Sequence, residues 1–558
     1  MSTPQSSSPF RERTGAQHLV DALVANECEL VFGVPGESYL AVLDALVDAP
    51  SVRFITCRHE AGAANMAEAH GKLTGRPGVC MVTRGPGATH AAVGVHTAFQ
   101  DSTPMILLVG QVARGMRDRE AFQEVDYRRF FADQAKWVAE IDDAARVPEY
   151  MERAFATAMN GRPGPVVLAL PEDMLEDAAK AVPAGRVEPA RHAPGPQAMS
   201  ELTERLRRAK TPFLLIGGGG WTAEAVADVR RFAEANGLPT GCSFRSKDYL
   251  DNESAVYAGD VGIAPNPALV ERLHASDLII ALGPRLGEMT SSGYTLFTRE
   301  MTRERLVHIH PGAEELGRVY TPAQAVHASI PEAARALSEV LVDASAWSGE
   351  AALAHDAYKA FSSPVGVGSG VNLSEAFSWL SSHLPADAIV TNGAGNYAAW
   401  LHRFYRHESW RTQLAPTSGA MGYGVPAGIA AKIAEPERIV VSVSGDGCFL
   451  MCAQELATAK RYGAGVIFIV VDNGSYGTIR MHQERDYPAR VSGTDLTNPD
   501  FRAFAESFGV KGFEIDTEAD FPDAFIAAEA HEGPSLIVIR GDVEQIAPGK
   551  TLSEVRGV

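Results

Sequence analysis

Two short stretches late in the chain carry oxygen donors that a cation would use. Gly445-Asp446-Gly447 offers a carboxylate between two glycines, and Asn473-Gly474 offers an amide oxygen one strand–helix–strand length further on. Magnesium takes hard oxygen ligands in an octahedron, one or two from protein and the others from phosphates and water. Asp446 and Asn473 are such donors, and a backbone carbonyl in the turn after Asn473 would add a third. Gly445 and Gly447 let the backbone approach a diphosphate, whose charge the N-terminus of the next helix favours. Gly-Asp-Gly by itself reads equally well as a plain turn; its tandem with Asn-Gly singles it out.

Such donors need a frame that brings two strand ends together. The β-branched run 439–443 reads as a buried parallel strand, and 466–471 as a second. Between them Leu450, Cys452, Leu456 and Ala459 predict one amphipathic helix. Parallel sheets collect ligands at the carboxyl ends of their strands. The same grammar recurs upstream. Strands are predicted at 30–34, 52–56, 79–83, 105–109 and 166–170, with a helix over 39–47, and again at 213–216, 277–283 and 306–310. Residues 388–397 echo the strand, turn and helix start of 31–43. A proline- and alanine-rich stretch at 181–198 and a less distinct one around 345–370 read as linkers. The 558 residues are too many for one ordinary core, and about three domains are expected. The predicted fold class is α/β, with three doubly wound parallel-sheet domains over 12–182, 196–344 and 368–548.

Composition removes several partners. Apolar residues make up 46% and charged residues 21%, as in soluble globular proteins, and the net charge of −19 argues against nucleic acid or an anionic membrane surface. An anionic substrate would need a local basic site. Six scattered cysteines form neither a disulfide framework nor a metal spacing. Cys448 and Cys452 share the predicted helix face, where core packing is the expected role. The first thirteen residues lack an apolar core and read as a flexible tail, and no run is long enough to span a bilayer. A reducing cytoplasm is the expected compartment.

The span 444–477 resembles the diphosphate-anchoring motif of thiamine-diphosphate enzymes, with Asp472 standing where that motif has the first of two asparagines. The resemblance implies that Asp446, Asn473 and the backbone carbonyl of Ser475 hold Mg2+, with Gly445 and Gly447 beside the diphosphate. Residues 57–69 (CRHEAGAANMAEA) resemble the Arg-His-Glu-x-x-Ala-x-x-Met-Ala-Glu stretch of the acetohydroxyacid synthase-like branch of that family. There the Glu, here Glu60, hydrogen-bonds the pyrimidine nitrogen of the cofactor. Sharing a proton at that nitrogen turns the neighbouring amino group into an imino base able to deprotonate the thiazolium carbon. The plain alternative for Glu60 is an N-terminal helix acid that favours the dipole.

Further stretches resemble the same branch: 83–89 (TRGPGAT), 101–104 (DSTP) and 122–124 (FQE), which the family places beside the reacting carbon. By that resemblance Gln123 hydrogen-bonds a developing oxyanion; otherwise it is a surface residue. In 419–426 (GAMGYGVP), Met421 matches the apolar wedge that bends the cofactor and Gly419 offers a carbonyl to its amino group; the alternative for Met421 is a core methionine. Arg285 matches a position that could grip a substrate carboxylate, a surface or nucleotide-phosphate role being equally open. His482 stands where synthases carry an acceptor-selecting Trp.

The implied activity is thiamine-diphosphate-dependent decarboxylation or carboligation of 2-oxo acids, through a thiazolium ylide and enamine. Acetolactate synthesis from pyruvate is the first reading. A 2-hydroxyacyl-CoA lyase or an oxalyl-CoA decarboxylase is the alternative, and an inactive cofactor-binding scaffold the third. No His-His pair precedes Pro104, which counts against a simple pyruvate decarboxylase. Gly217 to Gly220 lack GxGxxG spacing, and Leu286-Gly287-Glu288 replaces the acidic run of flavin-binding relatives; both count against FAD or another nucleotide. The resemblance further implies a homodimer or homotetramer with active sites at the subunit interface.

Overall fold

A computed structural model describes residues 10–366 and 369–557. Most of the predicted N-terminal tail, and residue 368 where the last predicted domain begins, lie outside them. The chain divides into two compact units, Met1–Ala190 and Arg191–Val558. The division falls inside the stretch 181–198, where 182–195 form neither helix nor strand.

The first unit is built on a six-stranded parallel sheet. Its order is Arg53–Thr56, Leu30–Gly33, Gly78–Val82, Met105–Gln111, Pro165–Pro171 and Trp137–Glu140. The inner strands are continuous runs of buried Val, Ile, Leu and Met, as expected for a sheet covered on both faces. Each fully buried side chain of this kind contributes about 1.5–3 kcal/mol over an exposed one. Two features escaped the sequence. Trp137–Glu140 is a short, half-buried edge strand whose apolar run is only three residues long, and Arg11–Thr14 pairs antiparallel with Ala178–Ala181 as a separate ribbon.

Helices Glu60–Thr74 and Pro86–Asp101 pack against each other in this unit. Their small residues explain why they can. A Cβ added at Gly94 would lie 2.4 Å from the Cβ of Ala64, and one at Gly78 would lie 1.8 Å from the carbonyl oxygen of Ala67. The Ala/Gly content of the Glu60 helix is therefore a packing requirement. It brings the first turns of the two helices side by side.

The second unit holds two more six-stranded parallel sheets. One runs Tyr257–Asp260, Thr240–Cys242, Pro212–Ile216, Leu278–Leu282, Leu306–His310 and Gln324–His327. The other runs Gln413–Leu414, Ile389–Asn392, Val440–Gly445, Val466–Asp472, Ser535–Arg540 and Lys511–Ile515. In the latter, Gly445 pairs with Val471 and Asp472 with Arg540, so three strands end side by side.

The single helix expected after Gly445 is instead three pieces: Asp446–Leu450, a 3-10 turn Ala453–Glu455, and Leu456–Arg461. The break falls at Cys452, whose φ of −137° leaves the helical region. The loop carrying Met421 leans on it, since a Cβ at Gly422 would come within 2.9 Å of Met451. Leu450 consequently points outward rather than to the core. The predicted helix over 39–47 likewise opens as a 3-10 turn, Glu37–Tyr39, before Leu40–Val47.

Candidate functional site

The residues singled out by chemistry fall into two half-sites, one in each unit. In the first unit, Glu60 opens its helix directly after His59, the N-cap. His59 Nδ1 accepts the Ala61 N–H at 3.1 Å, an imidazole doing what Ser or Asp usually does. Burial, and then the neighbouring His90, lower the His59 pKa, which keeps the ring neutral and able to accept. The Glu60 side chain is 13% exposed, and its Oε2 accepts from His90 Nδ1 at 2.9 Å. His90 in turn stacks on His59, ring centres 4.5 Å apart.

The glycine loop before the second helix completes this half. A Cβ at Gly87 would lie 3.5 Å from Glu60 Oε1, in ordinary contact with it. Gly85, at φ +57°, donates its N–H to Tyr127 Oη at 2.8 Å and lies against the backbone of Gln123, itself at φ +64°. Gln123 is thus seated on the loop that flanks Glu60. The loop 101–104 packs on the Glu60 helix. Asp101 pairs with Lys72, and Thr103 Oγ1 donates to Glu68 Oε1 at 2.6 Å, two turns down the helix from Glu60. These side chains tie elements together.

The second half-site sits where the last sheet's strands end. Asp446 is 3% exposed, and its Oδ1 accepts the Gly447 N–H at 2.8 Å. Its Oδ2 accepts from Asn498 Nδ2 at 2.8 Å, while the Gly474 N–H donates to Asp472 Oδ1 at 3.3 Å. Asn498 donates equally to Asp472 Oδ1 at 2.8 Å, and Asp472 Oδ2 meets Arg540 at 2.5 Å. The acid at 472 is therefore neutralised from the next strand. Asp446 has no such partner. It forms no ion pair with Lys, Arg or His among the described residues, and burial pushes its pKa up.

Asn473 Oδ1 accepts the Ser475 N–H at 3.1 Å, and the Ser475 carbonyl accepts the Gly477 N–H at 2.8 Å, leaving each oxygen a further lone pair. A carboxylate, an amide oxygen and a main-chain carbonyl form an all-oxygen set that suits a hard dication. The buried, uncompensated charge of Asp446 is what such a cation would relieve. The glycines beside it are already required by the protein: Cβ atoms at Gly445 and Gly447 would meet the rings of Tyr397 at 2.9 Å and Tyr476 at 2.5 Å.

Cys448 is more than core filling. Its sulfur accepts the Gly422 N–H at 3.2 Å and the Tyr397 hydroxyl at 3.4 Å, while Tyr397 Oη accepts the Gly393 N–H at 3.0 Å. Two loops and the start of helix Asn396–Phe404 are thereby tied to the Asp446 turn. Met421 packs, part-buried, on the last sheet's core, and Gly419, at φ +70°, stands exposed beside it. Arg285 Nε lies 3.6 Å from Glu315, a buried acid that Arg318 also holds. The run Gly217 to Gly220 serves contacts within its own sheet: a Cβ at Gly218 would meet the Gly283 carbonyl at 2.0 Å. His482 sits part-buried on helix Gly477–Asp486, which Glu484 anchors to Arg556 at 2.8 Å. Sequence reasoning missed His90, Asn498 and Arg540. Among the described residues no helix is long and apolar enough to cross a membrane.

Three α/β sheets, a carboxyl at one helix start and an oxygen donor set at another are the parts of one enzyme class. The chain belongs to the thiamine pyrophosphate enzyme family: residues 13–130 match its N-terminal TPP binding domain, 199–337 its central domain and 393–539 its C-terminal TPP binding domain. Its cofactor is thiamine diphosphate with a divalent metal. Within the family it is similar to acetolactate synthase large subunits. It is 30% identical to the isozyme 2 large subunit of Escherichia coli K12, covering 97% of this chain and 99% of that one. It is 31% identical to the large subunits of Parasynechococcus marenigrum (98% and 91%) and Corynebacterium glutamicum (98% and 89%).

Proposed function

We propose that the protein is an acetolactate synthase-like carboligase acting on 2-oxo acids. The observation that carries this is the pair of unlike carboxyls, Glu60 held by an imidazole and Asp446 buried without a cation. In this reading Asp446, Asn473 and the Ser475 carbonyl hold Mg2+, and Gly445 and Gly447 flank the diphosphate. Glu60 shares a proton with the pyrimidine nitrogen, Gly419 accepts from the amino group, and Met421 supports the ring from below. When bound, thiamine diphosphate supplies the electron sink for the bond that releases carbon dioxide. Gln123, which packs against Gly85, donates to an oxyanion in this reading.

Domains over 12–182, 196–344 and 368–548 are supported by the three family spans, each of which falls inside one of them. We take the working form as a homodimer or homotetramer in which Glu60 of one copy and Asp446 of another serve one cofactor. A fully active monomer in dilute solution would overturn this. A cytoplasmic location is supported by six free thiols, five of them buried.

The acceptor is the less determined half of the reaction. His482 in place of an aromatic, and Arg285 held by Glu315, favour as second reading a 2-hydroxyacyl-CoA lyase or oxalyl-CoA decarboxylase. The test is carbon dioxide release from pyruvate, glyoxylate, aromatic 2-oxo acids and oxalyl-CoA, with product identification. Acetolactate from pyruvate supports the first reading, and turnover of an acyl-CoA alone replaces it with the second. Bound cofactor with no turnover of any of these leaves a scaffold. A visible spectrum without a flavin band is expected, because the glycine run of the middle sheet is filled by its own contacts.

A further inference from the structure

His59, Glu60 and His90 bring one ligand atom each within 4.8 Å of one another, a grouping invisible in the sequence. It has the composition of a zinc site but not the tautomers. His59 Nδ1 is occupied by the Ala61 N–H, so the neutral ring carries its proton on Nε2 and has no lone pair left for a cation. The cluster does something else.

A carboxylate oxygen only accepts, so His90 Nδ1 must be the donor to Glu60 Oε2. The donor ring is itself held: it stacks on His59, 29° from parallel, and His59 is fixed by its cap bond to the helix that Glu60 begins. His90 is the one hydrogen-bond partner of Glu60 among the described residues. The other oxygen, Oε1, has Gly87 beside it, where a Cβ would stand 3.5 Å away. One carboxyl oxygen is tied and the other is left for a further partner.

We propose that His90 is a positioning residue for Glu60. Its Nδ1–H fixes Oε2 so that Oε1 is aimed at the pyrimidine nitrogen of thiamine diphosphate. The proposal rests on the role of Glu60 given above. Its physical basis is orientation: misplacing a reacting group by about 1 Å costs roughly 100-fold in rate. A free glutamate in the first turn of a helix rotates about three side-chain bonds, and the His90 bond removes that freedom.

Two substitutions separate the donor from the ring. His90→Asn places an amide N–H as many bonds from the backbone as Nδ1, keeping the donor and losing the stack. His90→Phe keeps the stack and loses the donor. The readouts are deuterium exchange at the thiazolium carbon of loaded protein without substrate, kcat and KM for the 2-oxo acid, and the cofactor dissociation constant by calorimetry. The expected result for His90→Phe is exchange and kcat lowered together by about 10- to 100-fold, with KM and the dissociation constant changed by no more than about threefold. His90→Asn is expected to recover most of the loss. Exchange at the wild-type rate in His90→Phe overturns the proposal, as does equal impairment in both variants. Should one variant fail to fold, the other still decides, through loss in Phe or retention in Asn. Glu60→Gln run alongside separates the two claims. If it too exchanges normally, the role of Glu60 has failed; if it alone is impaired, only that of His90 has.

Discussion

Glu60 and Asp446 share a local setting in two different sheets: each is the first residue of a helix that follows a parallel strand, an edge strand for Glu60 and an inner one for Asp446. Their surroundings differ in a way that fits two kinds of work. The Glu60 carboxyl receives one hydrogen bond, from the His90 imidazole, and its other oxygen lies beside a glycine. Asp446 is nearly sealed from water and fixed by the Gly447 N–H and the Asn498 amide, with no positive side chain paired to it among the described residues. A carboxyl that must give and take a proton needs one oxygen oriented and the other left for its partner. One that must hold a cation needs a closed, rigid setting with a charge left over. The local setting is shared, and the neighbours decide the chemistry.

Breaking the first member of the pair gives the largest effect. Glu60→Gln keeps the shape and removes the exchangeable proton, and steady-state kinetics should show kcat down by about 10^2- to 10^4-fold. Near wild-type turnover would return Glu60 to the role of a helix-dipole acid. The rigidity of the second member is tested one shell out. Asn498→Ala leaves Asp446 and Asp472 without their common donor, and Mg2+ titration should show affinity weakened by about 10- to 100-fold with thermal stability little changed. Unchanged affinity would mean that the backbone alone holds Asp446.

The smallest effect concerns a third acid, Glu484, which needs neither proton nor cation because Arg556 and Arg480 already pair with it. The Arg556 bond, followed by the Ala489 N–H, holds its pKa down to about 2. A depressed folded-state value means that its stabilisation is complete above the ordinary carboxyl value of about 4.3 and fades as pH falls toward 2. Hydrogen exchange should therefore show helix Leu552–Arg556 losing protection on acidification through that window, ahead of the sheets. Protection unchanged down to pH 2 would contradict the pairing.

Much of this was readable before any coordinates. Buried parallel strands are short β-branched runs ending in Gly, Asp or Asn, so Val440–Gly445 and Val466–Asp472 announced themselves within a residue or two. Asp446 and Asn473 followed from where those runs stop. Edge strand Trp137–Glu140 left no such mark, since half its side chains face outward. The helix after Gly445 breaks at Cys452 because a loop from 30 residues upstream presses on it, which periodicity does not record. His90 was hidden for a similar reason. It reaches Glu60 only through the close packing of two helices, set by Gly94 against Ala64. Asn498 sits before a proline in an irregular stretch, and its importance comes from the two acids it happens to bridge.

The division of labour between the two carboxyls is tested most directly by binding isotherms for thiamine diphosphate in the presence of Mg2+, measured on Glu60→Gln and Asp446→Asn. Removing the cation seat should abolish saturable binding, while the Gln variant should bind within a few-fold of the unsubstituted protein and yet release almost no carbon dioxide from pyruvate. Tight binding by Asp446→Asn, or an empty site in Glu60→Gln, would contradict the assignment of anchoring to one half and activation to the other.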